Sequence, residues 1–241
     1  MTRPEDEPIQ PYGELRQHAP DLWTLEGEWY GTPFRRRMTL MRLERGGLVV
    51  HSAIRLREED WPRLEALGPV EVLVAPNRFH GSEAHHFQRR YPQARLFASP
   101  GCAREQRRLA RLDGVLPADW PPELEREVAC LELQGTRCGL HEQVFFQRAS
   151  RTLVLTDAAF NLQDAPGGLT GLLLRWNRVE RRFGPSRLFR RLFVGDVARA
   201  RDSFARLLEW EPERVVVSHG EVVESDAREA LRRGLVEMGL A

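Results

Sequence analysis

The stretch VEVLVAPNRFHGSEAHHFQRRYP, Val70–Pro92, decides how the rest of the chain is read. Its first residues form an apolar, β-branched run that suits a strand buried on both faces, and the run stops at Pro76. From Ser82 onward the spacing is helical, with Ser82 in the place of an N-cap. ARLFASP, Ala94–Pro100, then supplies a second strand. Strand, helix, strand is the unit from which α/β sheets are built. Asn77 and His80 fall at the carboxyl end of the first strand, where such sheets gather their functional side chains.

Working outward, DLWTLEGEWY (Asp21–Tyr30), RMTLMRL (Arg37–Leu43) and GLVVHSAI (Gly47–Ile54) predict an antiparallel meander, with ERGG as the turn between the last two. Asp60 is the expected N-cap of a short helix over WPRLEALG. The proline-rich DGVLPADWPPELE, Asp113–Glu125, reads as an ordered excursion. VACLEL (Val128–Leu133), EQVFFQR (Glu142–Arg148) and TLVLTDAAF (Thr152–Phe160) imply a second sheet. Pro166–Phe193 has helical spacing interrupted at FGPS, with a restart near Pro185. An amphipathic helix over Asp196–Trp210, a strand at RVVVSHGE (Arg214–Glu221) and a helix from Asp226 complete the chain.

The 241 residues are 41% hydrophobic and 29% charged, an ordinary globular composition. Residues 13–241 are expected to form a single domain, and the polar, proline-containing residues 1–12 a flexible arm. There is no stretch of about 20 apolar residues to cross a bilayer, and the first residues lack the pattern of a secretory signal, so a cytoplasmic location is expected. Cys102, Cys130 and Cys138 are odd in number and make no CxxC pair, which argues against a disulfide framework or a cysteine-based zinc knuckle. All 36 basic residues are arginine, so P-loop lysine and Schiff-base chemistry are excluded. With 35 acids balancing them, neither a nucleic acid nor a membrane is the expected partner, and the arginine clusters at FRRRM and Leu174–Phe193 are read as solvated faces.

Besides Asn77 and His80, two more polar residues sit at strand ends: Asp157 after TLVLT and His219 after VVVS. This combination, with the order of strands, resembles the metallo-β-lactamase superfamily. The resemblance implies a four-layer αβ/βα sandwich. That superfamily carries T-H-x-H-x-D-H after the corresponding strand, then a helix and an aromatic-Pro step. Laid on this chain without a gap, Val74 falls at the threonine, Ala75 and Asn77 at the first two histidines, Phe79 at the aspartate and His80 at the last histidine. The step corresponding to YP also falls in register. Five blocks in order (FRRRMTLMRLERGGLVVHSAI, LVAPNRFH, SRTLVLTDAAFN, RFGPSRLFRRLF and VVSHGEVVES) are similar, more narrowly, to an uncharacterised bacterial family of unknown function within that superfamily.

A two-zinc centre needs ligands that Ala75, Asn77 and Phe79 do not supply. His80, Asp157 and His219 resemble the ligands of the second ion, and two imidazoles with one carboxylate suffice for one zinc or iron ion with open positions. The other reading is a metal-free polar floor in which the two histidines flank Asp157, with Phe79 filling the vacated space. His141 completes the set if its loop folds inward. Asn77, His51 and Ser52 are expected to line the same edge, with Glu221 or Glu224 as a partner of His219. Arg37 is either an anion-binding fork in the cleft or a surface residue, and His85 and His86 are packing or surface residues. The function classes that follow are a mononuclear metal-dependent hydrolase, or a non-catalytic protein that binds a small, anionic molecule in the old cleft.

Overall fold

The computed structural model describes residues 13–28, 35–163 and 168–241. The expected arm over residues 1–12 lies outside them, as do Trp29, Tyr30 and Pro166. Two sheets carry the architecture. The first has seven strands in sequential order: β1 (Arg16–Ala19), β2 (Leu22–Glu28), β3 (Arg35–Arg42), β4 (Leu48–His51), β5 (Val70–Ala75), β6 (Arg95–Ala98) and β7 (Gly114–Val115). β1 to β4 form the antiparallel meander, and β4 to β7 run parallel. The second sheet has four strands: β8 (Val128–Glu132), β9 (Gln143–Gln147), β10 (Thr152–Leu155) and β11 (Arg214–Val217), ordered β11-β10-β9-β8 with β10 parallel to β11.

Period-two alternation explains why these strands stack into layers. Val72 and Val74 of β5 face Phe145 of β9, Val154 of β10 and Val216 of β11 in one buried cluster between the sheets. Their neighbours in sequence point the other way. Leu73 joins Trp61 and Leu64 of α1 (Trp61–Glu65) and Phe87 of α2 (Ala84–Arg90) on the outside of the first sheet. Leu153, Leu155, Val215 and Val217 join Phe204 and Leu207 of α6 (Val197–Glu209) and Leu231 and Leu235 of α7 (Ala227–Glu237) outside the second. The result is the four-layer αβ/βα sandwich. Each such fully buried side chain contributes about 1.5–3 kcal/mol of transfer free energy.

Between these elements, α3 (Pro100–Leu109) packs Cys102 and Ala103 on Ala75 and Ala98. The excursion after β7 is ordered, with Leu116, Trp120 and Leu124 of α4 (Pro122–Glu125) in the inter-sheet core. α5 (Gly168–Trp176) follows the second sheet's third strand, and a single π-helical turn spans Phe189–Phe193. All three cysteines are free, with Cys130 only partly buried and Cys138 exposed.

Several local expectations need correction. α2 starts at Ala84 and is not capped by Ser82, whose hydroxyl instead accepts from the Arg36 guanidinium at 3.0 Å. Asp60 precedes α1 but makes no capping bond, because a 3-10 turn over Glu58–Asp60 already feeds the helix. The restart after FGPS is capped by Ser186, which accepts from the Phe189 amide at 2.9 Å. FRRRM is not a solvated face throughout: Arg36 and Arg37 are buried. As successive residues of β3 they point to opposite faces of the sheet and each meets a carboxylate there, Arg36 beside Glu83 and Arg37 on Glu26.

Candidate metal centre

Because β4, β5, β10 and β11 all end at one edge of the sandwich, the residues after them converge. Ser52 follows β4, Asn77 and His80 follow β5, Asp157 follows β10 and His219 follows β11. His80 Nε2 and His219 Nε2 each lie 3.4 Å from the same oxygen, Oδ1 of Asp157. The two rings are edge to face with centroids 5.3 Å apart, and the donor atoms of all three residues lie within 4.8 Å of one another.

Each side chain is fixed from behind. His219 Nδ1 is 2.7 Å from the Arg35 carbonyl, which only accepts, so Nδ1 carries a hydrogen and the ring is held with Nε2 turned toward Asp157. Phe160 stacks on the other face of that ring at 5.4 Å. Gly220 allows the turn: its φ is +97°, and a Cβ there would stand 2.1 Å from the Asn161 carbonyl oxygen. His80 Nδ1 meets the Ser52 hydroxyl at 2.9 Å.

Asn77 ties the loop to the carboxylates. Its Oδ1 accepts from the amides of Phe79 at 2.7 Å and His80 at 3.0 Å, which fixes the orientation of the amide. Its Nδ2 then donates to Oδ2 of Asp157 and to Oε2 of Glu142, both at 2.6 Å. Asp157 Oδ2 is thereby occupied while Oδ1 is left to face the histidines. Glu142 is fully buried and also accepts from the Thr156 amide at 2.8 Å and the Thr156 hydroxyl at 2.5 Å. Burial, with Asp157 beside it, pushes the Glu142 carboxyl up to about 7, against those hydrogen bonds. Burial also raises the Asp157 carboxyl, but the adjacent His80 and His219 override it and hold the group well below the usual carboxylate range. For His80, burial lowers the imidazole more than Asp157 raises it.

The donor set fits one ion. Two imidazole nitrogens and one carboxylate oxygen leave room for a fourth, exchangeable ligand. It does not fit two. Ala75 is buried among Ala98, Cys102 and Ala103, Asn77 presents a donor to its neighbours, and Phe79 offers only carbon. Phe79 does not plug the vacated space either. It is 38% exposed at the rim of a cavity of about 280 Å³ that opens over the three residues. Phe160, Leu174, Val179, Phe189 and Phe193 wall that cavity, and among the described residues its remaining polar lining is Asn177 and Ser186.

The other expected site residues lie elsewhere. His141 points outward and pairs with Glu132 at 2.8 Å, because a positive φ of 48° turns its loop away from the cluster. Glu221 is exposed and 3.8 Å from Arg16. Glu224 binds His18 and Arg214 at 2.5 Å and 2.6 Å, so neither acid supports His219. Arg37 is neither a cleft fork nor a surface residue; it donates to the Val217 carbonyl at 2.6 Å and bolts β3 to the end of β11. His51 is buried edge-on to Phe145, with no hydrogen-bond partner on either ring nitrogen, and burial pushes it down to about 3. His85 and His86 are half-buried on α2 with ring centroids 4.0 Å apart, away from the cluster. Glu142, Thr156 and Phe160 were not anticipated. A glutamate directly before a buried strand paired with the Asp157 strand was the available signal for the first.

The profile of the family described as Domain of unknown function (DUF4336) matches residues 22–173. Among solved structures, the chain is similar to a metallo-beta-lactamase from Pontibacter korlensis, with 14% identity, TM-score 0.63 and coverage of 94% of this chain and 98% of that one. It is also similar to a metallo beta lactamase from Hirschia baltica, with 14% identity, TM-score 0.59 and coverage of 95% and 98%. A third is the metallo-beta-lactamase FIM-1 from Pseudomonas aeruginosa in the mono-zinc form, with 10% identity, TM-score 0.60 and coverage of 98% and 97%. At these identities the likeness concerns the fold. No curated protein matches by sequence.

Proposed function

From the premise that this chain belongs to the DUF4336 family and has the metallo-β-lactamase fold, we propose that it is a hydrolase using one divalent zinc or iron ion on a small, largely apolar molecule. His80, Asp157 and His219 would hold the ion. One observation carries this reading. Nε2 of His80 and Nε2 of His219 both stand 3.4 Å from one carboxylate oxygen, Oδ1 of Asp157, and all three atoms face a common point. A shared proton would draw a nitrogen–oxygen pair to about 2.7–2.9 Å. Ligands about 2.0–2.1 Å from a tetrahedral ion instead stand about 3.3–3.4 Å apart.

An ion there would supply Lewis acidity and a polarised water. The chain's own residues supply the rest. Asn77 keeps Asp157 turned so that Oδ1 faces the histidines, Ser52 and the Arg35 carbonyl orient the two imidazoles, and Phe160 fixes the plane of His219. The apolar walls exclude bulk water and strengthen every charge on the floor. Asn177 accepts from the Leu188 amide at 2.6 Å and Ser186 accepts from the Phe189 amide, and neither an amide nor an aliphatic hydroxyl is a general acid near neutral pH. The leaving group must therefore depart without a proton from a cavity acid, which favours thioesters and activated or cyclic esters over amides. Among the described residues no arginine lines the cavity, so a neutral ligand fits it better than an anionic one.

The test is hydrolysis of a series of p-nitrophenyl esters and acyl thioesters by the zinc- or iron-loaded protein. Turnover that a chelator and Asp157→Asn both remove is the expected result. A loaded protein that binds these compounds in the cavity without turnover is instead the non-catalytic binding protein.

A further inference from the structure

Seven large apolar side chains are strongly exposed among the described residues, and five of them lie in the cavity lining or on the two segments that wall the cavity. Phe79 and Leu188 form part of the cavity lining. Leu172 and Trp176, each 57% exposed, stand four residues apart on α5, the helix whose Leu174 walls the cavity. Leu188 and Leu192, 45% and 44% exposed, are likewise four apart, on the turn whose Phe189 and Phe193 wall it. Residues so spaced share a helix face.

The same segment is basic. From Gly171 to Phe193 it holds seven arginines and a single acid, Glu180. Arg175, Arg178, Arg181, Arg187 and Arg191 are exposed. Glu180 sits 3.8 Å from Arg175, which leaves the excess positive charge of the segment standing. Since the whole chain carries only +1, this charge is concentrated here and offset elsewhere. Arginines on an ordinary solvated face do not come with a tryptophan and three leucines turned to water. Exposed leucine and tryptophan interleaved with arginine is the composition of segments that lie in the headgroup layer of an anionic bilayer. Leucines contribute nothing to the base stacking that a nucleic acid would need.

We propose that α5 and the Phe189–Phe193 turn form a cap that seats on the anionic surface of a lipid bilayer, with Leu172, Trp176, Leu188 and Leu192 entering the acyl boundary and the flanking arginines contacting lipid phosphates. The cavity mouth then opens at the level where apolar molecules partition. This docking does not depend on the ion below the cavity.

Flotation of the purified full chain with vesicles tests it, comparing phosphatidylcholine alone with phosphatidylcholine containing phosphatidylglycerol. Binding to the mixed vesicles alone is expected, weakened by salt, with Arg191→Gln reducing partitioning about fivefold. The pair Trp176→Ser and Leu192→Ser changes exposed side chains outside the cavity lining, and should reduce binding about tenfold or more while the thermal melt stays that of the wild type. Absence of binding to the mixed vesicles overturns the proposal. So does binding that falls in Arg191→Gln yet survives the apolar pair, which marks a polyanion site for nucleic acid or acidic protein. A solution dimer that the apolar pair abolishes, with no vesicle binding, assigns the patch to a second copy and overturns it too.

Discussion

Replacing Asn77 by alanine removes the group on which both halves of the candidate centre hang. Its Oδ1 accepts from the Phe79 and His80 amides, and its Nδ2 bridges Glu142 and Asp157. The His80 amide keeps a long bond to the Asn77 carbonyl at 3.4 Å, and Phe79 is near enough to the surface for water to reach its amide. The larger loss is on the carboxylate side. Glu142 Oε2 retains the Thr156 hydroxyl, but Asp157 Oδ2 loses its amide donor and two buried acids face each other unbridged. A hydrogen bond to a charged group is worth about 1.5–3 kcal/mol and a stranded buried partner costs about 1–3 kcal/mol, so Asn77→Ala should lose about 3–5 kcal/mol. For a chain of this size that corresponds to a fall in Tm of roughly 6–20 °C. Urea denaturation of the metal-free protein measures it. Asn77→Asp separates the two roles, because it retains an oxygen for the loop amides and replaces the bridging donor with a third carboxylate. It should be no more stable than Asn77→Ala. A loss under about 1 kcal/mol in the alanine variant, or an aspartate variant clearly more stable than the alanine one, refutes the bridging argument.

Gly220→Ala should lose about 2–4 kcal/mol in urea and weaken ion binding, because the new Cβ must push the His219 loop off the Asn161 carbonyl. Phe145→Ala, which empties a fully buried position between the sheets against His51 and Trp120, should cost about 3–5 kcal/mol in the same assay. His141→Ala removes an outward-facing ring and should leave stability within about 0.5 kcal/mol and ion content unchanged. An effect of His141 on ion binding would place its loop inward after all.

The strands were legible because their signal is local. Runs such as VEVLVA and RVVV mark buried strands and the periodic runs between them mark helices, while the stacking of two sheets between outer helices came from the resemblance and not from the pattern. His80, Asp157 and His219 were legible for a related reason: a polar residue at the end of a buried parallel strand has one edge on which to stand. Glu142 stayed hidden because it precedes an antiparallel strand, and its proximity to Asp157 depends on the pairing of β9 with β10. Arg37 was misjudged because a single arginine in a charged run says nothing of which face of β3 it takes; the register against Glu26 decides that. The apolar character of the cavity comes from α5 and the turn at Phe189–Phe193 folding over the sheet edge, a long-range contact without a periodic trace in the sequence.

Calorimetric titration of zinc into the metal-free full chain decides whether His80, Asp157 and His219 form a single ion site. One ion per chain is expected in the wild type, with strongly weakened binding in Asp157→Asn and none in His219→Ala, since two remaining protein ligands do not hold zinc against water. Two ions per chain, no binding by the wild type, or undiminished binding by His219→Ala would contradict it.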